Sequence, residues 1–296
     1  MEVAWAWWKL SRPAVWMVSL LPFWIAYVLA TRELVPSHHR RELLIATVVM
    51  GPVLWASASC ANDAADLDGD RMNPRKAHSP LVRGVLSERA VWSGAGVAAL
   101  AAVILALTVN VTFTLVTVAA LALAWAYSAP PVRLKTRPGA DLAANAVAVG
   151  VVTLLAGWAV ARPLTGFPWY VLPQGLLVAT ALYVPTTLVD ADSDRRSGYR
   201  TIATTLGERR AYLVGWAAWV LSCVGAVLLA ALDLLVPRRM LLVFAVSIPL
   251  LLWEYHVLIG RARSPDAIVR GIVVCSLTFL LSNSLFALMY TGVWEP

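Results

Sequence analysis

The chain alternates between long apolar segments and short polar ones. Nine segments are almost entirely hydrophobic, and each is close to the ~20 residues that an α-helix needs to cross a bilayer. They cover residues 13–30, 43–62, 90–109, 111–128, 140–161, 169–189, 211–231, 240–259 and 267–293. Backbone amides inside lipid must find partners within their own segment, so helices are expected for all nine. The pattern predicts an all-α polytopic membrane protein with nine transmembrane helices.

The composition supports this fold class. Of the 296 residues, 60% are hydrophobic, and the mean hydropathy of +0.72 is far above that of a soluble domain. No segment has the composition of a linker or of a second, soluble domain, so we expect one transmembrane domain over residues 1–296. The first apolar segment is longer than a signal peptide and lacks a small-residue cleavage site, so we expect it to remain in the protein.

The positive charge is unevenly distributed between the two sides of the membrane. The net charge is +7, with 24 Lys and Arg residues. With nine spans, six of these lie opposite the N-terminus and the remaining 18 lie on its side. The six are Arg32, Arg40, Arg41, Arg162, Arg238 and Arg239. The positive-inside rule puts the N-terminus of this cell-membrane protein in the cytoplasm, and it accounts for the charge without a nucleic-acid partner.

Two acidic runs interrupt this basic side. Residues 62–71 read NDAADLDGDR, and residues 190–200 read DADSDRRSGYR. Both contain the D-x-D-x-D spacing of calcium loops, but such a loop also needs Gly at its sixth position and Glu at its twelfth. Counted from the first Asp of each triplet, these positions hold Arg and Ala in one run and Arg and Thr in the other. A calcium loop is therefore excluded for both runs.

Helical geometry sorts the acidic residues into two faces. A helix turns by about 100° per residue, so positions four or seven apart lie on one side. The residues that share a face are Asn62, Asp63, Asp66 and Asp70 in the first run and Asp190 and Asp194 in the second. Asp68 and Asp192 point away. Two such faces turned toward each other would repel without a cation, and Mg²⁺ prefers oxygen ligands of this kind. The alternative is two solvated helix ends at the membrane boundary.

Basic residues surround both runs. They are Arg71, Arg75, Lys76 and Arg83, then Arg133, Lys135 and Arg137, and then Arg195, Arg196 and Arg200. Metal ions and cationic side chains together neutralise a diphosphate, so the combination favours a diphosphate site, although part of the charge follows from the positive-inside rule. The chain has no Gly-rich phosphate loop, so nucleoside triphosphate chemistry has no support.

Cysteine and histidine indicate no further metal site. Cys60, Cys223 and Cys275 fall in apolar spans without metal-type spacing, so we expect buried, inert thiols. The four His residues include no pair with the i, i+4 spacing of a metal site.

With these motifs the chain resembles the UbiA superfamily of intramembrane prenyltransferases over essentially its whole length. The resemblance is carried by the N-D-x-x-D-x-x-x-D run from Asn62 to Asp70, the YSAP stretch from Tyr127 to Pro130, and the D-x-x-x-D of Asp190 and Asp194 with Gly198, Arg200 and Thr201 beyond it. It implies nine helices around a central chamber and a single prenyltransferase domain. The SRP stretch at residues 11–13, the NPRK run at 73–76 and the continuation of YSAP are most similar to the lycopene elongase branch.

The resemblance also implies roles for individual residues. Two magnesium ions would be held on a prenyl diphosphate by Asn62, Asp63, Asp66, Asp70, Asp190 and Asp194. The catalytic set would be Asp66, Asp70, Asp190, Asp194 and Tyr127. The diphosphate contacts would be Arg75, Lys76, Arg133, Lys135 and Arg200. Many members of the family have Arg before the later proline, where this chain has Ser79, so Arg75 or Lys76 is expected to supply the missing contact.

The expected reaction is ionisation of the allylic diphosphate, attack by a lipophilic acceptor and loss of a proton. The acceptor would be an aromatic quinone precursor or a polyene such as a carotenoid, and Tyr127 and Lys135 would orient the diphosphate. Asp141 and Asn145, one turn apart at the start of the fifth span, could act on the acceptor or take the proton. Equally, Asp141 could only stabilise the positive end of its own helix.

Two other functions stay open. A terpene cyclase would use the same metal site without an acceptor, and supplying the diphosphate alone separates it from a transferase. A cation transporter would be non-enzymatic, but its acids would tend to lie near the membrane midplane rather than at helix ends on one side. Beyond membrane lipid and the two substrates, the sequence indicates no obligatory protein partner.

Overall fold

The computed structural model describes residues 2–72 and 76–294. Within these residues the chain is nearly all helical, and nine helices are long and apolar enough to cross a membrane. We call them span one to span nine. They cover Glu2–Thr31, Arg40–Ala65, Glu88–Leu107, Val111–Ser128, Ala140–Ala159, Trp169–Arg196, Glu208–Ala231, Met240–Ile259 and Pro265–Tyr290. The predicted all-α fold with nine transmembrane helices is confirmed.

The predicted ends were wrong by more than three residues in only two spans. Span one begins at Glu2 rather than at residue 13, because a helix over Glu2–Leu10 precedes the predicted segment. A break separates the two parts: Arg12 has a left-handed φ of 49°, and Pro13 then starts a short turn before the helix resumes at Trp16. Span six continues to Arg196 instead of residue 189, so both members of the second acidic face are helical.

Spans two, five and eight each contain an irregular turn, which is a widened turn of π-helix in spans five and eight and a kink at Gly51 in span two. These turns cover Val49–Val53, Ala148–Val152 and Tyr255–Ile259. In span two the turn includes Pro52, which has no N–H group to continue the α-helical ladder. Two short helices, Leu67–Arg71 and Ile202–Leu206, follow spans two and six, and a 3₁₀ turn over Leu134–Thr136 follows span four.

Span five is the most enclosed of the nine, with 56% of its apolar window buried. Glycine allows this close packing. A Cβ atom on Gly150 would meet the backbone of Gly175 in span six, and one on Gly157 would meet the carbonyl oxygen of Phe23 in span one. The small residues of span five therefore let two neighbouring backbones approach it directly.

Two of the apolar clusters in the core each lie within one half of the chain. One joins the first five spans through side chains such as Phe23, Met50 and Phe113. The other joins spans six to nine through Trp219 and Tyr255, with Cys275 beside them. All three cysteines are buried and unpaired, as predicted. Because successive spans run in opposite directions, the connections after spans two, four and six lie at the same end of the bundle, and the acidic runs are there.

Candidate active site

The first acidic run bends at Asp66 but keeps its helical register. Asp66 has φ −102° and ψ 2° and separates the last helix of span two from the short helix that follows. The amide of Asp66 still donates to the carbonyl of Asn62 at 3.1 Å, and the amide of Asp70 donates to the carbonyl of Asp66 at 2.8 Å. These three side chains therefore stay on one face. The side chain of Asp68 is 98% exposed, as the helical count predicts.

Asp66, which follows span two, is contacted by side chains from the connections after spans four and six. Arg133 Nη2 donates a hydrogen bond to Oδ1 of Asp66 at 2.7 Å, and Lys135 Nζ donates to Oδ2. The hydroxyl of Tyr199 also donates to Oδ1, at 3.3 Å, and the guanidinium of Arg133 lies over the Tyr199 ring. Arg133 and Lys135 follow span four, whereas Tyr199 follows span six. Both carboxylate oxygens are therefore engaged by side chains from distant parts of the sequence.

The segment after span four places its two cations by local backbone geometry. The helix ends at Ser128, and Pro130 and Pro131 beyond it have no N–H groups to extend it. Arg133 then adopts a left-handed φ of 40° at the start of the 3₁₀ turn that contains Lys135. The Nε of Arg133 is buried without a hydrogen-bond partner. One N–H donor thus remains for another oxygen.

Lys135 holds Asn62 as well as Asp66. Its Nζ donates to Oδ1 of Asn62 at 2.8 Å, and the hydroxyl of Ser128 donates to the same oxygen at 3.1 Å. Lys135 is 8% exposed, and this burial lowers the pKa of its ammonium group while Asp66 opposes the change. The amide oxygen and the carboxylate are therefore fixed side by side by one buried cation.

A second group of charges surrounds Asp63. Arg12 forms an ion pair with Oδ1 of Asp63, and Lys76 Nζ lies 3.6 Å from the same oxygen and 3.4 Å from Oδ2 of Asp70. Burial raises the pKa of the Asp70 carboxyl; Lys76 lowers it, and Asp63 and Asp66 raise it again. Asp63 and Asp70 are thus also paired with cations.

The second acidic face lies close to the first. Asp194, near the end of span six, is within electrostatic range of Asp190 and of Asp66. Asp192 turns away: its side chain is 79% exposed and pairs with Arg195 at 2.7 Å. The two faces therefore lie at the same end of the bundle and influence each other electrostatically.

Tyr127 pairs with a second tyrosine near the carboxylates. Its hydroxyl is 3.0 Å from that of Tyr183 in span six, and Asp66 and Asp194 are within electrostatic range of it. This hydroxyl pair connects span four to span six beside the carboxylates.

Asp141 stabilises a helix other than its own. It is fully buried, and its Oδ2 accepts a hydrogen bond from the amide of Ile202 at 3.0 Å, at the start of the short helix after the second acidic run. Its Oδ1 is buried without a partner. Asn145 lies half-buried one turn later. Asp141 therefore also fixes the connection that carries Tyr199, and its expected role at the start of span five stays a prediction.

Of the other two predicted diphosphate contacts, one cannot be placed and one lies apart from the carboxylates. Arg75 lies outside the described residues. Arg200 is exposed, and the ion pairs between described residues do not include it. The other three, Lys76, Arg133 and Lys135, all contact the carboxylates.

Four residues of the site were not predicted from the sequence. They are Arg12, Ser128, Tyr183 and Tyr199. Arg12 and Ser128 belong to motifs that were recognised, SRP and YSAP, but these motifs did not reveal which atoms the side chains contact. Tyr199 follows the second acidic run directly, and its position beside a charged cluster was the available signal.

The oxygen donors suit magnesium, but the carboxylates of the first acidic face are paired with cations. Among the described residues no three Asp, Glu, His or Cys side chains form a metal-binding cluster. Instead Asp63 and Asp66 are neutralised by Lys and Arg. The amide and carboxylate oxygens on the two faces are nevertheless the hard ligands that Mg²⁺ uses, so the donor set fits this ion chemically.

Two apolar recesses lie outside the charged site. One, of about 440 Å³, lies against the N-terminal helix and is lined by Trp7, Trp8 and Trp16. The other, of about 360 Å³, lies between spans one and nine, where Trp24 faces Leu280. Neither is lined by a charged residue.

Comparison with known proteins gives consistent results. The sequence model of the UbiA prenyltransferase family matches residues 19–292. A lycopene elongase/hydratase of Haloferax volcanii is 30% identical over 76% of this chain and 72% of its own length. A 4-hydroxybenzoate octaprenyltransferase of Methylibium petroleiphilum is 36% identical over 70% of this chain and 72% of its own.

A solved structure has the same fold. A UbiA homologue from Archaeoglobus fulgidus, bound to DMAPP and Mg²⁺, superposes with a TM-score of 0.72. The match covers 95% of this chain and 98% of the other, at 20% identity.

Proposed function

Because the chain belongs to the UbiA prenyltransferase family, we propose that it transfers a prenyl group from an isoprenyl diphosphate to a lipophilic acceptor in the membrane. The observation that carries this proposal is the convergence of Arg133 and Lys135 on Asp66, within electrostatic range of Asp194. Two solvated helix ends would not need a buried lysine and a half-buried arginine from another connection. A site that holds metal and diphosphate together would use such cations to bind the phosphate oxygens.

The oxygen donors would hold magnesium, and we propose two ions. The ligands would be Asn62, Asp63, Asp66, Asp70, Asp190 and Asp194. When bound with a prenyl diphosphate, Mg²⁺ supplies neutralisation of the charge that develops on the leaving group. The fold shared with the Archaeoglobus fulgidus homologue, which was solved with DMAPP and Mg²⁺, supports the use of this metal.

The cations of the site would bind the diphosphate oxygens. Lys135 and Arg133 are the main candidates, since the buried Nε of Arg133 has a free N–H donor. Lys76 would contact the other side, with Arg75 and Arg200 as further candidates. As the allylic C–O bond breaks, its electron pair goes to the diphosphate oxygen, and these fixed positive charges stabilise that oxygen more than water could.

The prenyl tail and the acceptor would lie below the charged site, in the apolar interior. Tyr127, paired with Tyr183, would orient the diphosphate where the charged site meets the apolar interior that holds the tail. Asp141 and Asn145 would act on the acceptor side or receive the proton that is lost after carbon–carbon bond formation. The recess between spans one and nine would let lipophilic molecules enter from the bilayer.

The acceptor class follows from the apolar surroundings and from the relatives. Relatives named for lycopene elongation and for 4-hydroxybenzoate prenylation support a polyene or an aromatic quinone precursor. The positive-inside rule places the N-terminus and both acidic faces on the cytoplasmic side. A water-soluble diphosphate head group would then reach the site from the cytoplasm.

Mass spectrometry of the products tests the proposal. Purified protein in lipid nanodiscs would be incubated with Mg²⁺ and prenyl diphosphates of increasing chain length, with lycopene, with 4-hydroxybenzoate or with no acceptor. We expect a prenylated acceptor and no turnover without one. A cyclic hydrocarbon formed from the diphosphate alone would instead identify a terpene cyclase, and the absence of any product under all conditions would contradict both activities.

A further inference from the structure

We infer that the cations paired with the acidic face of span two keep this face from binding metal until a diphosphate is present, so that metal and diphosphate bind with strong positive coupling. The cations are Arg12, Lys76, Arg133 and Lys135. The inference rests on the proposed function, because it concerns the order in which that site is filled.

The part of the face formed by Asn62 and Asp66 has no free carboxylate oxygen. Oδ1 of Asp66 accepts from Arg133 at 2.7 Å and Oδ2 accepts from Lys135. The amide oxygen of Asn62 is also taken, by Lys135 at 2.8 Å. A metal ion that entered here would have to replace at least one ammonium or guanidinium group.

The part of the face formed by Asp63 and Asp70 is paired with cations in the same way. Oδ1 of Asp63 lies between Arg12 and Lys76, and Lys76 also reaches Asp70. Asp63 is only 5% exposed. Its charge is therefore compensated mainly by these two side chains rather than by water.

A displaced cation needs a new partner. Lys135 is 8% exposed, so the loss of Asp66 would leave its ammonium group largely buried and unpaired, which is strongly unfavourable. A diphosphate removes this penalty, since it offers oxygens to the released cations and to the free Nε–H of Arg133. The metal then gains the carboxylates while the cations gain the phosphate oxygens.

The exchange predicts linked binding rather than independent binding. If diphosphate strengthens metal binding by some factor, metal must strengthen diphosphate binding by the same factor. A metal ion alone would bind weakly, because it must compete with the internal cations. The chain would thereby avoid holding metal in a site that lacks substrate.

Metal binding measured without turnover tests this inference. Mn²⁺ in place of Mg²⁺ would be titrated into the purified protein and followed by electron paramagnetic resonance, alone and with a prenyl thiodiphosphate that ionises slowly. A protein-free sample corrects for Mn²⁺ bound by the probe in solution. For the wild type we expect the probe to raise the Mn²⁺ affinity by roughly a hundredfold, which is within the usual range of coupling between two binding sites.

The Lys135→Met variant tests whether the positive charge of Lys135 competes with the metal ion for the carboxylates. We expect Mn²⁺ alone to bind roughly tenfold more tightly than to the wild type, and the effect of the probe to shrink by a similar factor. Arg133→Met should act in the same direction and guards against a folding defect in one variant. Arg195→Met is the matched control: Arg195 pairs with the outward-facing Asp192 and Glu208, so both affinities should stay unchanged.

The contradicting results are distinct. Unchanged or weaker binding of Mn²⁺ alone in both Lys135→Met and Arg133→Met would overturn the inference while leaving the proposed function intact, provided that Asp66→Asn still abolishes Mn²⁺ binding with the probe. If the wild type binds no Mn²⁺ even with the probe, the proposed function fails together with the inference.

Discussion

Lys135 and Asp66 form an ion pair that joins the connection after span four to the acidic end of span two. They are 69 residues apart in the sequence, and the same ammonium group also holds Asn62. The position of the acidic face therefore depends on packing between spans two and four, not only on the helix that carries it.

Arg133 and Arg200 should differ in their importance for substrate binding. Arg133 is part of the carboxylate cluster, whereas Arg200 is exposed. Loss of one charge-assisted hydrogen bond costs about 1.5–3 kcal/mol, so Arg133→Gln should raise the KM for the prenyl diphosphate by roughly tenfold to a hundredfold. Arg200→Gln should raise it by less than about threefold. Equal effects in a steady-state assay would show that Arg200 moves into the site with substrate.

Asp141 should contribute to the stability of the protein through the hydrogen bond that it accepts. Asp141→Ala removes the acceptor of the buried Ile202 amide, so the free energy of unfolding should fall by about 1–3 kcal/mol. Asp141→Asn keeps an acceptor oxygen and should retain most of the stability. Thermal unfolding in detergent measures both, with Asn145→Ala as the comparison. If Asp141→Asn is stable but inactive, the carboxylate itself takes part in the reaction; wild-type stability of Asp141→Ala would refute the structural role.

Gly157 should not tolerate a methyl group. Its Cβ would meet the carbonyl oxygen of Phe23, so Gly157→Ala should force spans one and five apart and cost about 1–3 kcal/mol. Gly96→Ala, in span three, meets nothing within 4 Å and serves as the control. A lower unfolding temperature is expected only for Gly157→Ala. Equal unfolding temperatures for the two variants would show that the backbone contact is not needed.

The membrane orientation can be tested with single cysteines, because the three native thiols are buried. His38 is exposed after span one, and Arg263 is exposed after span eight. A membrane-impermeant maleimide should label His38→Cys in intact cells and Arg263→Cys only after the cells are opened. The reverse pattern would place the acidic faces outside the cytoplasm and contradict the charge-based orientation.

The sequence predicted the fold because the controlling forces are local. Segment length and hydropathy determine which stretches cross a bilayer, and the helical repeat determines which carboxylates share a face. Both depend on neighbouring residues alone. The helix over Glu2–Leu10 was missed because it continues an apolar span beyond a Ser-Arg-Pro break, where the sequence indicated an end.

The partners of the acidic residues could not be predicted in the same way. Arg12 reaches Asp63 across 51 positions, and Tyr199 reaches Asp66 across 133. Such pairs depend on how connections pack at the end of the bundle, and no periodicity encodes this. Asp141 illustrates the limit, since no pattern in the sequence indicated that it would accept a hydrogen bond from the amide of Ile202. The roles assigned to the site residues remain predictions.

Diphosphate release by Asp66→Asn, compared with Asp68→Asn, tests the central claim most directly. The two substitutions remove the same charge two residues apart, but Asp66 is held by three side chains of the site, whereas Asp68 is exposed. With a prenyl diphosphate, Mg²⁺ and acceptor, we expect Asp68→Asn to match the wild type and Asp66→Asn to be slower by about a hundredfold or more. Wild-type diphosphate release from a correctly inserted Asp66→Asn protein would contradict the proposed active site.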